Sequence, residues 1–107
     1  MIHVTAAIIV NNGRIMLARR AEGKHLAGYW EFPGGKIEAG ESPEICLERE
    51  LYEELGVKAD IKDFFMENIH EYESKTIRLL AYWTTIGSDD VTLVDHDEYC
   101  WLAPVEL

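Results

Sequence analysis

The chain has 107 residues, 48% of them hydrophobic, and a formal net charge of −10. That length and apolar content predict one folded domain over residues 1–107 and exclude a disordered chain. No apolar run is long enough to span a bilayer, and a bulk acidic surface argues against a stable nucleic-acid partner.

In chain order, residues 2–10 (I-H-V-T-A-A-I-I-V) predict a largely buried strand rather than a signal peptide. Asn11-Asn12-Gly13 is a strong turn signal, so residues 14–18 are expected to return antiparallel. Residues 21–29 read as a loop. Trp30-Glu31-Phe32-Pro33-Gly34-Gly35 then joins two aromatic residues to a rigid, glycine-rich bend that lets backbone approach a ligand. Ser42 is placed to cap a helix, Pro43 to occupy its first position, and Gly56 to end it after Leu55. Leu47, Leu51 and Leu55 share its core side, with Ile45 and Tyr52 joining obliquely. One or two strands are predicted over 57–71, at 58–61 and 64–71, and further strands over 75–85 and 98–103, with a loop at 87–90. Residues 104–107 look like the first turn of a helix. The expected fold class is α/β, a mixed sheet with one long helix packed on it. Cys46 and Cys100 are expected to stay reduced, as in a cytoplasmic protein.

The acidic charge is concentrated. Residues 38–54 hold seven glutamates against one arginine. Within them, Glu50, Glu53 and Glu54 fall on one turn of the predicted helix, beside the leucine stripe but distinct from it. Three carboxylates so close repel one another, and ordinary folding does not reward the cluster. A hard divalent cation does, because Mg²⁺ prefers oxygen ligands and works with substrate phosphates. The histidines His3, His25, His70 and His96 lack ligand spacing. His96, in the acidic loop, is at most a neighbour of such a site. Cys46 is simplest as a packed side chain, and no nucleophile is paired with a base.

From Gly35 to Val57 the chain reads G-K-I-E-A-G-E-S-P-E-I-C-L-E-R-E-L-Y-E-E-L-G-V. This resembles the Nudix box at every constrained position. Arg19-Arg20 and Trp30-Glu31-Phe32-Pro33-Gly34-Gly35-Lys36 extend the resemblance toward the MutT-like branch of Nudix hydrolases, and the similarity covers nearly all of residues 2–107. The resemblance implies an α/β/α sandwich around a mixed sheet. It implies Mg²⁺-dependent hydrolysis of nucleoside triphosphates, ordinary or oxidised, to a nucleoside monophosphate and pyrophosphate by metal-activated water, with Mn²⁺ as a substitute ion. The alternatives are a Nudix hydrolase of ADP-ribose, a nucleotide sugar or a dinucleoside polyphosphate, and a non-catalytic nucleotide-binding module. The expected partner is a nucleotide, with no membrane, and the protein is expected to act as a monomer or homodimer.

Position by position, the resemblance assigns Glu50, Glu53, Glu54 and the Gly34 carbonyl to the metal. Arg49 orients a ligand glutamate by a salt bridge, and Glu41 has a role nearer to structure. Arg20 and Phe32 line the nucleotide site, and Glu31 lies where an acid can approach the base. The general base is Glu53 or the Asp95 region. Asp95 stands where MutT-like enzymes carry a glutamate, and Asp97 and Glu98 compete for that role. The family also continues into a C-terminal helix, while this sequence ends at Leu107. Either that helix lies outside the sequence, or the base pocket is built differently.

Overall fold

The computed structural model describes residues 1–87 and 90–107. Strand β1 (Ile2–Asn11) and strand β2 (Arg14–Arg20) form the first hairpin. Its turn places Asn12 at φ 52° and Gly13 at φ 75°, the paired left-handed residues that a tight two-residue hairpin turn demands. The two strands pair only at that end, Val10 with Ile15 and Asn11 with Arg14. Beyond it they part. Strand β4 (Gly34–Lys36) pairs with the first half of β1, while β2 pairs with β3 (Trp30–Glu31) and β7 (His96–Leu102). The glycine-rich bend is therefore two short strands around Pro33, and Ala7 donates its amide to the Pro33 carbonyl at 2.7 Å.

Strand β6 (Thr76–Ile86) runs parallel to β1, and β5 (Ala59–Glu71) lies antiparallel to β6 at the edge. The resulting mixed sheet has the order β3-β2-β1-β6-β5. The sequence predicts one or two strands over 57–71, and a single strand occupies 59–71, with register shifts between Ile61 and Phe64 and between Phe64 and Met66. An irregular strand changes which face each side chain meets, so its alternation reads as two short segments. The loop expected at 87–90 falls partly on residues 88 and 89, outside the described residues. The chain ends in a 3₁₀ turn, Pro104–Glu106.

Helix α1 (Pro43–Leu55) begins and ends as its caps dictate. The Ser42 hydroxyl accepts from the Ile45 amide at 3.1 Å. Gly56 closes the helix in the left-handed conformation at φ 66°, donating to the Tyr52 carbonyl. Leu47, Leu51 and Leu55 are completely buried against Ala7, Ile9, Met16, Leu80 and Tyr82 of the sheet. Each such leucine contributes roughly 1.5–3 kcal/mol. Ile45 and Tyr52, expected at the margin of this face, are instead exposed, and Cys46 takes the buried place. The reason is rotational: Cys46 lies over the β1–β4 pair, where its thiol meets the Thr5 hydroxyl at 3.4 Å. With its leucines committed to the sheet, α1 turns Glu50 toward Gly35 of β4 and Glu54 toward Gly34 of β4 and His96 at the start of β7.

The second face of the sheet carries Ala6, Ile8, Ile15 and Ala81, flanked by Val10, Leu79 and Trp83. Among the described residues α1 is the sole α-helix, so no α-helix lies on this face.

Candidate active site

Arg49 is the hub of the acidic turn. Its Nε and Nη2 donate to the two oxygens of Glu41, at 2.6 and 2.9 Å, a bidentate fork. Its Nη1 donates to Glu50 Oε1 at 3.0 Å and to Glu53 Oε2 at 3.3 Å, and Nη2 also reaches the Lys36 carbonyl. The Glu41 carboxyl is held down to about 2 by the Arg49 guanidinium and, next, by the Glu38 amide. One guanidinium thus spreads across three carboxylates and ties the helix to the chain leaving β4.

Glu50 and Glu54 lie inward of that hub. Burial pushes the Glu50 carboxyl above its usual range, against the opposing pull of Arg49. Glu54 is pushed further, to about 7, first by burial and then by the negative charge of Glu50. The Gly34 backbone N–H donates to Glu54, while Glu54 Oε2 is buried without a hydrogen-bond partner among the described residues. A buried carboxylate oxygen with no partner, beside a second carboxylate, is a costly arrangement in water alone. A divalent cation fits it, since it supplies the missing partner and cancels the repulsion. Arg49 takes Oε1 of Glu50 and leaves Oε2 outside the pairing. As they stand, no three acidic, histidine or cysteine side chains among the described residues converge into a complete ligand cage. Hard-cation sites that retain several waters need only one or two protein carboxylates plus substrate oxygens.

Two glycines make this close approach possible. A Cβ on Gly35 would overlap the Glu50 carboxyl group, and one on Gly34 would overlap the Thr5 carbonyl on β1.

Next to the carboxylates opens a cleft of about 440 Å³ lined by Val4, Ala6, Arg20, Glu31, Phe32, Leu79 and the two glycines. Its volume suits a small-molecule ligand. Arg20 anchors the 21–29 loop by donating from Nε to the His25 carbonyl, and its Nη1 donates to Glu31 Oε1 at 3.1 Å. The third guanidinium nitrogen, Nη2, makes no hydrogen bond among the described residues. Burial alone would raise the Glu31 carboxyl, but hydrogen bonds from His96 and Arg20 outweigh it and hold Glu31 below its usual range. Arg20, Glu31, Phe32 and Gly34, singled out in the sequence from separate segments, therefore share one cavity, and its Gly34 and Gly35 are the residues against which Glu54 and Glu50 lie.

Asp95 does not join them. Its side chain pairs with Lys24 at 3.2 Å near the surface, and its carbonyl accepts from the Ala21 amide. Asp97 and Glu98 likewise turn outward, to Arg19. The side chain from this segment that points inward is His96, 4% exposed, with Nε2 2.9 Å from Glu31 Oε1. The hydrogen bond to Glu31 is the leading reason its imidazole is pushed above its ordinary range, with the Glu54 charge contributing. Sequence reading set His96 at the margin. The signal that could have raised it is its flank of acids, which leaves it the one residue of D-H-D-E suited to meet a carboxylate.

A family model described as the NUDIX domain matches residues 1–107. The chain is 38% identical over 106 residues to the CTP pyrophosphohydrolase of Escherichia coli K12, covering 99% of this chain and 78% of that protein. It is 45% identical over 83 residues to the 8-oxo-dGTP diphosphatase of Haemophilus influenzae, covering 77% of this chain and 61% of that protein. Among solved structures, the E. coli ORF135 protein superposes with a TM-score of 0.84 at 37% identity, over 99% of this chain and 76% of that one. The MutT protein of Methanosarcina mazei Go1 superposes with a TM-score of 0.87 at 30% identity, over 98% and 78%.

Proposed function

Since the chain belongs to the NUDIX domain family and is a hydrolase, we propose that it cleaves nucleoside triphosphates, ordinary or oxidised, to a nucleoside monophosphate and pyrophosphate. The observation that carries this reading is the buried Glu54 oxygen, unpartnered among the described residues, beside Glu50 and against the Gly34-Gly35 wall of a cleft lined by Arg20, Glu31 and Phe32. In this reading residues 1–107 act as one domain, because strands from both ends of the chain share one sheet.

Glu50 and Glu54 would hold Mg²⁺, or Mn²⁺ in its place, with Glu53 and the Gly34 carbonyl extending the set. When bound, the ion supplies neutralisation of phosphate charge and a water of lowered pKa. The chain's own residues do the rest. The free Nη2 of Arg20 is left to take a phosphate oxygen. Phe32, 37% exposed, offers a ring face over an apolar floor of Val4, Ala6 and Leu79, which suits a nucleobase. Glu31, held ionised, is an acceptor for a donor on the base. Glu53 is largely open to solvent beside Glu50 and is our candidate base. Asp95, tied to Lys24, is the weaker candidate for that task.

Incubation with a panel of ordinary and oxidised nucleoside triphosphates and Mg²⁺, with products resolved by phosphorus NMR, tests the reading. Monophosphate plus pyrophosphate is the expected result. Orthophosphate as the only phosphorus product, or turnover confined to ADP-ribose, nucleotide sugars or dinucleoside polyphosphates, overturns it. Arg49→Lys gives a further expectation. A lysine keeps the charge but cannot span Glu41, Glu50 and Glu53 together, so the Mg²⁺ concentration needed for half-maximal rate should rise about 10–100-fold. An unchanged Mg²⁺ dependence would remove Arg49 from the orienting role.

A further inference from the structure

Strand β7 carries a register fault where it matters for the cleft. Arg19 of β2 pairs with Glu98 and Arg20 pairs with His96, so Asp97 is an extra residue without a partner across the ladder. A bulge of this kind re-aims side chains. Asp97 goes outward, where its Oδ1 takes the Arg19 Nε–H at 2.7 Å. His96 is brought to the same face as Arg20 and under the cleft. Its side chain is 1% exposed, and Nε2 lies 2.9 Å from Glu31 Oε1. Arg20 Nη1 approaches that same Oε1 at 3.1 Å.

Both donors therefore converge on one oxygen of Glu31. Its other oxygen, Oε2, accepts no hydrogen bond among the described residues. A carboxylate whose first oxygen is fixed from two directions cannot rotate its second one freely. Among the described residues the imidazole has no other polar partner: Nδ1 is buried and makes no hydrogen bond there. That unsatisfied nitrogen is a local penalty, which the bond from Nε2 to an ionised carboxylate offsets. A purely packed residue at this position would be better served by leucine or phenylalanine.

We propose that His96 is a positioning residue for substrate binding, which with Arg20 fixes Glu31 so that Oε2 alone is presented to the base as a hydrogen-bond acceptor. The proposal deepens the nucleotide hydrolase reading above and rests on it. Its ligand class is a nucleoside triphosphate whose base offers an N–H donor to the cleft. His96 touches neither phosphate nor base. It acts through Glu31, so its removal weakens binding and leaves the chemical step largely alone.

A double-substitution cycle tests this. His96→Leu keeps the volume and removes the donor, and should raise KM for the preferred nucleotide by roughly 10-fold or more, with kcat changed by less than about 3-fold. His96→Gln, whose amide nitrogen reaches nearly as far as Nε2, should recover most of that loss. In a Glu31→Gln background, His96→Leu should add little further change. A second readout does not need turnover: an imidazole N–H proton donated to a carboxylate should give a downfield NMR resonance in the wild-type protein that moves upfield in Glu31→Gln. Equal damage from His96→Leu and His96→Gln, additive losses in the double variant, or an imidazole resonance indifferent to Glu31 would each overturn the proposal. Absence of nucleotide turnover with the resonance and its response to Glu31→Gln intact would instead overturn the reading of function, and leave the clamp standing.

Discussion

Glu54→Gln should abolish turnover and, in the same variant, make the metal-free protein more stable near pH 8. The two effects have one origin. The Glu54 carboxyl is pushed from 4.5 to about 7 because its charged form is buried beside Glu50. For an acid whose folded-state value is raised, the folded chain holds its proton more tightly than the unfolded chain. Stability is thus greatest below about 4.5, and it falls as pH rises from there to about 7 and then levels off. The loss from this group approaches about 3 kcal/mol above that window. Glutamine has no charge to bury and can still accept from the Gly34 amide. Denaturant melts of the metal-free proteins should therefore show Glu54→Gln ahead by about 2–3 kcal/mol near pH 8, with the gap closing toward pH 4.5. Saturating Mg²⁺ should stabilise the wild type near pH 8 far more than the variant, since only the wild type has both carboxylates to offer. A variant less stable than wild type at both pH values would mean that Glu54 is an ordinary structural residue.

Gly34→Ala and Gly35→Ala, one residue apart, should fail in different ways. At Gly34 the added methyl meets the Thr5 carbonyl and the Ala6 backbone, and neither can move without parting β4 from β1. Its φ of 155° adds strain for a residue with a side chain. The expected loss is about 3–5 kcal/mol, enough to lower the melting midpoint by more than about 10 °C in a domain of this size. At Gly35 the three atoms nearest the methyl all belong to the carboxyl end of Glu50, which can swing aside. Folding should then be nearly untouched, within about 1 kcal/mol, while hydrolysis falls by about two orders of magnitude because Glu50 no longer faces Glu54. Thermal melts and initial rates on the two variants separate these outcomes. Equal stability losses at both positions would show that the Gly35–Glu50 contact is backbone-limited rather than chemical.

Much of the candidate site's geometry was legible because it is set locally. Ser42, Pro43 and Gly56 set the two ends of α1 through their own side chains or lack of one. The turn at Asn12-Gly13 is likewise decided by two adjacent residues. Glu50, Glu53, Glu54 and Arg49 needed only the pitch of a helix to be placed together. What escaped depends on partners far along the chain. Whether Ile45 or Cys46 is buried is decided by the fit of α1 over β1 and β4, not by the helix itself. The continuity of β5 is decided by its pairing with β6, which absorbs two register faults. The exchange between Asp95 and His96 is the clearest case. They are adjacent in one acidic run, Asp95 in the loop and His96 opening β7, and helix or strand periodicity does not rank them. The extra residue opposite Arg19 and Arg20, together with the nearby Lys24, turns the aspartate out and the histidine in.

The proposed chemistry requires Glu50 and Glu54 to share a divalent ion beside Gly34 and Gly35. Titration with Mn²⁺ in the presence of nucleotide, followed by paramagnetic broadening of backbone amide NMR signals, reads this directly. The prediction is that Gly34, Gly35, Glu50 and Glu54 broaden first and together, and that Glu54→Gln suppresses the effect. Broadening that begins elsewhere on the acidic surface, or that persists unchanged in Glu54→Gln, would contradict it.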